Sequence, residues 1–112
     1  VNVNECVYYQ WLQMTDEIYF DGCKIHKLKS NEAYIHCVFC KHSMRGNGFQ
    51  RVGIAYFVKK NNKDTFYALV KPDNIYSIRN FIQNDFYVYS KITVKKRFFF
   101  RFLYKNSITE KC

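Results

Sequence analysis

Two-residue alternation, repeated in short segments between polar turns, constrains this chain more than any other feature. From Phe86 to Val94, residues Phe86, Val88, Ile92 and Val94 fall on one face of an extended segment, and Tyr87, Tyr89, Lys91 and Thr93 on the other. In Phe49–Val58, residues Val52, Ile54, Tyr56 and Val58 alternate with Arg51, Gly53 and Ala55. The polar stretch Lys59–Asp64 follows, and Thr65–Val70 reads as the returning strand of a hairpin. Pro72-Asp73-Asn74 and Asn84-Asp85 are turn signals. Between them, Ile75–Ile82 suits either a helical turn or a strand, and its strand-like neighbours favour strand. Arg97–Tyr104 closes the set.

Nearer the N-terminus, Val7–Met14 reads as a strand or one short helix. Glu17–Phe20 ends in the turn Asp21-Gly22, and Cys23–Lys29 and Tyr34–Cys40 are strand-prone. Seven or so short strands at this spacing predict an all-β domain, a small antiparallel meander closed into a partly open barrel. With 112 residues, residues 1–112 make one domain. Four glycines and one proline are few for so many turns, so Asn-rich turns such as Asn61-Asn62 must serve. The chain begins with Val1 rather than Met, and the expectation is a fragment of a longer protein. Val1-Asn2-Val3-Asn4 has neither the basic nor the apolar region of a signal peptide.

Charge is distributed unevenly over this frame. Residues 1–56 carry six Lys/Arg against five Asp/Glu, and residues 57–112 carry twelve against four. The basic half is also aromatic, most densely at Lys95-Lys96-Arg97-Phe98-Phe99-Phe100-Arg101-Phe102. A basic, aromatic β-surface predicts a polyanion partner, with nucleic acid first. Lys91, Lys95, Lys96, Arg97, Arg101 and Lys105 form one candidate patch. Lys59, Lys60 and Lys63 form a second, on an expected hairpin tip. These would neutralise phosphates without reading sequence, while Tyr87 and Tyr89 would stack on unpaired bases. Alternation places Arg97, Phe99 and Arg101 together on an outward face.

The cysteines carry less. Cys6, Cys23, Cys37, Cys40 and Cys112 are odd in number and irregular in spacing, which predicts free thiols in a reducing, intracellular setting. For a nucleic-acid binder the expected location is nuclear. Cys23-x-x-His26 and Cys37-x-x-Cys40 have the residue types of a zinc site. Their fillers are strand-like, however, and residues three apart on a flat strand point to opposite faces, so buried thiols are the favoured reading. No signature surrounds any candidate nucleophile, and Gly46-Asn47-Gly48 reads as a surface loop rather than a phosphate cradle. The expectation is therefore no enzyme and no cofactor.

Three stretches in order, Asn47–Arg51, Lys59–Lys63 and Tyr76–Ile82 leading into Phe86–Ser90, resemble the β-rich bromo-adjacent-homology-like modules of transposable-element-derived proteins. Ser77 stands where such modules often carry glycine. The resemblance implies a non-catalytic accessory domain touching DNA, chromatin or another chain. The sequence reading is thus a sequence-independent nucleic-acid-binding module. Its rivals are a protein-interaction module using an exposed edge strand and a zinc-stabilised domain.

Overall fold

The computed structural model describes residues 6, 8–20 and 23–105, with the side chains of Phe20 and Cys37 outside the description. The turn expected at Asp21-Gly22 and the terminal Cys112 lie outside the described residues. Seven strands are present among them: β1 (Tyr8–Gln13), β2 (Glu17–Phe20), β3 (Cys23–Lys27), β4 (Glu32–Cys40), β5 (Thr65–Val70), β6 (Tyr87–Val94) and β7 (Arg97–Lys105). Two α-helices interrupt them, α1 (Phe49–Lys60) and α2 (Ile75–Gln83). The mainly-β expectation holds, but the all-β meander does not. Five strands form one mixed sheet in the order β1-β4-β5-β7-β6, and β2 and β3 form a separate hairpin.

The decisive departure is α1. The alternation at Val52, Ile54, Tyr56 and Val58 also contains a helical repeat. Ile54, Phe57 and Val58, at i, i+3 and i+4, pack on the core, whereas Val52 and Tyr56 are exposed. Lys59 and Lys60 lie in the last turn, where cations suit the helix dipole. Gly53 admits a neighbour that no side chain would: Gln10 Nε2 donates to its carbonyl at 2.6 Å, and a Cβ there would meet the Gln10 side chain at 2.8 Å. Because α1 returns the chain across the sheet, β5 runs parallel to β4 rather than closing a hairpin.

α2 replaces the strand favoured over Ile75–Ile82. Asn74 caps its start by accepting from Ser77 N–H at 3.1 Å. Its end is a Schellman motif: Phe86 N–H donates to Phe81 O and Asp85 N–H to Ile82 O, each at 3.0 Å. Asp85 takes the left-handed position (φ 67°) usual for glycine, and the Phe81 and Phe86 rings meet edge to face at 5.0 Å.

Both helices cover one face of the sheet. Ile54 and Phe81 bury there against Ile35, Phe66, Ala68, Val70 and Phe102. The β2–β3 hairpin covers part of the other, through Ile18 and Ile25 against Tyr34, Tyr67 and Leu69. Among the described residues no helix is long and apolar enough to cross a membrane.

Candidate functional site

The parallel pair β4–β5 is joined over only four residues, Glu32–Ile35 against Thr65–Ala68. Beyond this each strand follows its other neighbour. β4 continues to Cys40 along β1, with Tyr9 opposite Phe39 and Tyr8 opposite Cys40. β5 continues along β7, with Leu69 opposite Arg101 and Val70 opposite Phe100. A bulge in β1 between Tyr9 and Trp11 bends the outer pair. The centre of the sheet is thus split at the C-terminal ends of its two parallel strands. From His36 to Cys40, β4 has a strand on one side and none on the other, an interior edge of the sheet.

A cleft of about 320 Å³ fills the split. Its walls come from both faces of the sheet: Ile35 and Val70 from the helix side, Tyr34, His36 and Leu69 from the other. Only an interrupted sheet allows that. Gln50 of α1 and Asn74 and Ser77 of α2 close one end, so both helices begin at the cleft. Gln50 is 2% exposed and ties the helices together. Its Nε2 donates to Ser77 Oγ at 3.0 Å, and its Oε1 accepts from Asn80 Nδ2 at 3.0 Å.

The β4–α1 connection runs through Arg45-Gly46-Asn47-Gly48. Gly46 (φ 87°) and Gly48 (φ 81°) both occupy left-handed backbone, which glycine adopts without strain. No side chain caps α1 and no acid lies in its first turn, so its opening N–H groups and dipole face the loop uncompensated. Beyond the loop, Tyr8, Phe49, Val52 and Tyr56 line a further groove.

His36 is a titratable wall of the cleft. Its ring stacks on Tyr34 at 5.2 Å, 7° from parallel, and burial lowers its pKa below the ordinary 6.5. The imidazole is therefore neutral at pH 7 and able to accept a proton. The buried hydroxyl of Tyr76 lies beside Cys40, and burial raises its pKa. At the joined end of the strands, Glu32 accepts from Tyr67 Oη at 2.6 Å and Lys29 N–H at 2.8 Å, and pairs with His26 Nε2 at 3.0 Å. Burial disfavours that carboxylate, but these hydrogen bonds outweigh it and hold its pKa below the ordinary 4.5.

The residues expected to bind nucleic acid do not share one face. Lys59 and Lys60 end a helix rather than tip a hairpin, Lys60 lying over the Tyr56 ring at 6.0 Å. Lys63 Nζ donates to the Ser30 carbonyl at 2.7 Å. Lys95, Lys96 and Arg97 belong to the β6–β7 hairpin at the opposite end of the parallel strands. Arg101 stacks on Tyr89 at 4.8 Å, and Lys91 lies over the Phe98 and Phe100 rings, while Tyr87 is exposed. Phe99 does share a strand face with Arg97 and Arg101, but it is 3% exposed and walls the cleft. Its neighbour Phe98 is 44% exposed. Of the zinc candidates, Cys23 is exposed and Cys40 buried, His26 is engaged with Glu32, and the Cys37 side chain is outside the description. No group of three or more potential metal ligands gathers among the described residues. The glycine loop and the cleft were missed. The overlooked signal was a strand-like run followed within a few residues by Gly46-Asn47-Gly48 and a helix-compatible repeat.

No family model matches the chain, and no curated protein matches it by sequence. Solved structures do match its fold. An aminoglycoside acetyltransferase, AAC(6')-Ib, in complex with coenzyme A superposes with TM-score 0.67 at 12% identity, over 96% of this chain and 64% of the other. The Salmonella typhimurium protein yncA with its cofactor acetyl-CoA gives TM-score 0.66 at 18% identity, over 88% and 57%. The NatC complex bound to Gag peptide and CoA gives 0.58 at 15% identity, over 67% and 51%. The chain thus spans between 51 and 64% of the length of these proteins. Their common fold is the GNAT-type acetyltransferase fold, not a bromo-adjacent-homology module, so the resemblance to transposable-element proteins is corrected. The expectations of a non-catalytic nucleic-acid-binding role, of no enzyme and of no cofactor are corrected with it: the proteins that share this fold include an aminoglycoside acetyltransferase, and all three hold coenzyme A or acetyl-CoA.

Proposed function

We propose that this chain binds a coenzyme A thioester in the split of its sheet and transfers the acyl group to an amine. The observation that carries the reading is the interior edge of β4 from His36 to Cys40, open onto a cleft that passes through the sheet. Coenzyme A suits it on three counts. Its extended, amide-bearing arm can complete an open strand edge as an added strand would. Its diphosphate suits the left-handed glycines and uncapped N-terminus of α1, where N–H groups and the helix dipole favour anions. The cleft is of the size that small-ligand sites have.

When bound, the thioester supplies an acyl carbon that exchanges its C–S bond for a C–N bond with an amine. The remaining work falls to this chain. The β4 edge fixes the direction of the bound arm, and Gln50, held by Ser77 and Asn80, keeps the two helix starts in register. His36, neutral by burial, accepts the proton that the amine must lose. Ile35, Val70 and Phe99 keep water from the reacting centre.

Calorimetric titration with acetyl-CoA tests the binding half, and Gly48→Val tests its placement. That change puts a side chain at φ 81°, with its Cβ 3.1 Å from the Arg51 guanidinium. Expected are saturable binding by the wild type and loss of at least tenfold in the variant, the free-energy equivalent of about 1.4 kcal/mol. Transfer is then followed by chromatography of released coenzyme A with a panel of peptide, aminoglycoside and polyamine acceptors. A wild-type chain that leaves acetyl-CoA unbound at millimolar concentration defeats the proposal.

A further inference from the structure

Three cations of the second half, Lys71, Lys96 and Arg97, meet on one side of the cleft. A groove of about 360 Å³, lined by Lys71, Pro72, Asp73, Lys96, Arg97 and Phe98, adjoins the cleft through the shared walls Lys71 and Phe99. Three cations face a single acid there, and among the described residues none of Lys71, Lys96 and Arg97 has a carboxylate within ion-pair distance. The two sides of the groove come from the β5–α2 connection and the β6–β7 turn. Register explains the meeting: Val70 pairs with Phe100, so Lys71 comes alongside Phe99 and the turn that precedes it.

That turn carries a second, independent observation. Lys95 (φ 48°) and Lys96 (φ 68°) both occupy left-handed backbone, the pair of conformations a two-residue I′ turn requires. Asn-Gly or Asp-Gly fills such turns without strain, whereas two consecutive lysines each cost on the order of 1 kcal/mol. Strain of this kind marks a place where side-chain identity matters more than turn stability. Here the identity is positive charge at the mouth of the cleft.

Resting on the acyl-transfer reading, we propose that the Lys71–Lys96–Arg97 rim selects the acceptor, and that the acceptor is the amine terminus of an acidic peptide. The cations draw the carboxylates of its leading residues into the groove, exposed Phe98 supports the chain, and the amine enters the cleft past Phe99. A peptide fits better than a small anionic amine because cleft and groove together form an extended path rather than a single chamber. Charge complementarity at such a rim acts on encounter and specificity.

The test is fluorescence anisotropy with an Asp/Glu-rich peptide that has a free N-terminus and a dye at its far end, against the same peptide with Asn and Gln. Acetyl-CoA binding is measured separately on the same proteins. The wild type is expected to bind the acidic peptide at least tenfold more tightly. Lys96→Glu and Arg97→Glu, both at exposed positions, are each expected to weaken it about fivefold, near the upper range of exposed ion pairs. Lys71→Glu, on the other wall, provides the same readout without touching the strained turn. Affinity for acetyl-CoA is expected to stay unchanged in Lys96→Glu and Arg97→Glu, which do not line the cleft. Equal binding of the two peptides overturns the proposal. So does parallel loss of acetyl-CoA affinity, which would assign the rim to the coenzyme, and so does duplex DNA competing as well as the peptide at equal charge. Selective peptide binding by a wild type that ignores acetyl-CoA would leave the acidic-peptide groove standing and remove the transfer reading alone.

Discussion

β4 and β5 are one pair of strands with two different ends. At the N-terminal end the ladder is complete, Ala33 and Phe66 are fully buried, and Glu32, the single buried carboxylate among the described residues, has three hydrogen-bonding partners. At the C-terminal end the ladder stops. Apolar walls from both faces meet a neutral imidazole, and two helices begin without acidic residues in their first turns. The first end is satisfied internally and anchors the fold. The second presents an open strand edge and the N-terminus of α1, which has no side-chain cap. In sheets with parallel strands, ligands characteristically lie at the carboxyl ends of the strands, and the contrast gives that rule a physical basis here.

The largest effect should fall at the anchored end. Phe66→Ala removes a fully buried ring between α1, α2 and β7 and is expected to cost about 3–5 kcal/mol in urea unfolding. A cost below about 1 kcal/mol would mean that this end is not the anchor, and the contrast would collapse. At the open end, His36→Gln is expected to leave the urea midpoint nearly unchanged and to lower kcat/KM by roughly a hundredfold. The pH profile sharpens the point. Burial lowers the His36 pKa, so the neutral form persists below pH 6.5 and the acid limb of kcat/KM should lie below that value. A limb at or above 6.5 would assign the proton to another group.

Glu32→Gln, back at the anchored end, should cost about 1.5–3 kcal/mol at pH 7, the range for hydrogen bonds to a charged group. The sign with pH is fixed by the lowered pKa. The folded chain holds this carboxylate charged more readily than the unfolded chain, so its contribution is fully present above 4.5 and fades as pH falls through the lower folded value. Wild type and variant should therefore converge in stability in acid. A gap that persists below the folded pKa would trace to packing rather than charge.

The sequence reading was sound where one periodicity competed with nothing else. The spans of β6, β7, β2 and β3 were legible, and so was the parity of Arg97, Phe99 and Arg101, but a bulge between Val88 and Ser90 puts Val88, opposite Phe102, on the other face from Ile92 and Val94, opposite Phe99 and Arg97. It failed at Phe49–Lys60 because Ile54, Phe57 and Val58 satisfy a helical repeat within a run that also alternates, and local pattern cannot choose between them. It failed again at Ile75–Gln83, where Asn74 was read only as a turn residue and not as the cap of a helix. With those two helices missed, β5 became half of a hairpin, and neither the parallel pair nor its split could be inferred. The site was illegible for that reason: it is made of where β4 and β5 part, which no residue type records. The charged residues were identified correctly as a feature and misassigned as a surface, because only the register Val70–Phe100 reveals which lysines reach the cleft.

The smallest expected effect separates the two basic patches that the sequence made look alike. Lys59 and Lys60 stand at the far end of β5 from Lys95–Arg97, roughly 20 Å along a six-residue strand at ordinary strand rise. That exceeds the screening length of about 8 Å at physiological salt, so their field at the cleft is weak. Their local role is to complement the C-terminal dipole of α1. The double change Lys59→Ala with Lys60→Ala should cost no more than about 1 kcal/mol in stability. It should change neither the affinity for acetyl-CoA nor that for an acidic peptide beyond about twofold. Because the change lowers the net charge by two, the same as Lys96→Glu and Arg97→Glu each do, it controls for net charge. If it weakens peptide binding as much as they do, the attraction is a property of the whole +9 chain and the two ends are electrostatically equivalent. If it does not, position along the parallel strands, and not charge alone, decides which lysines act.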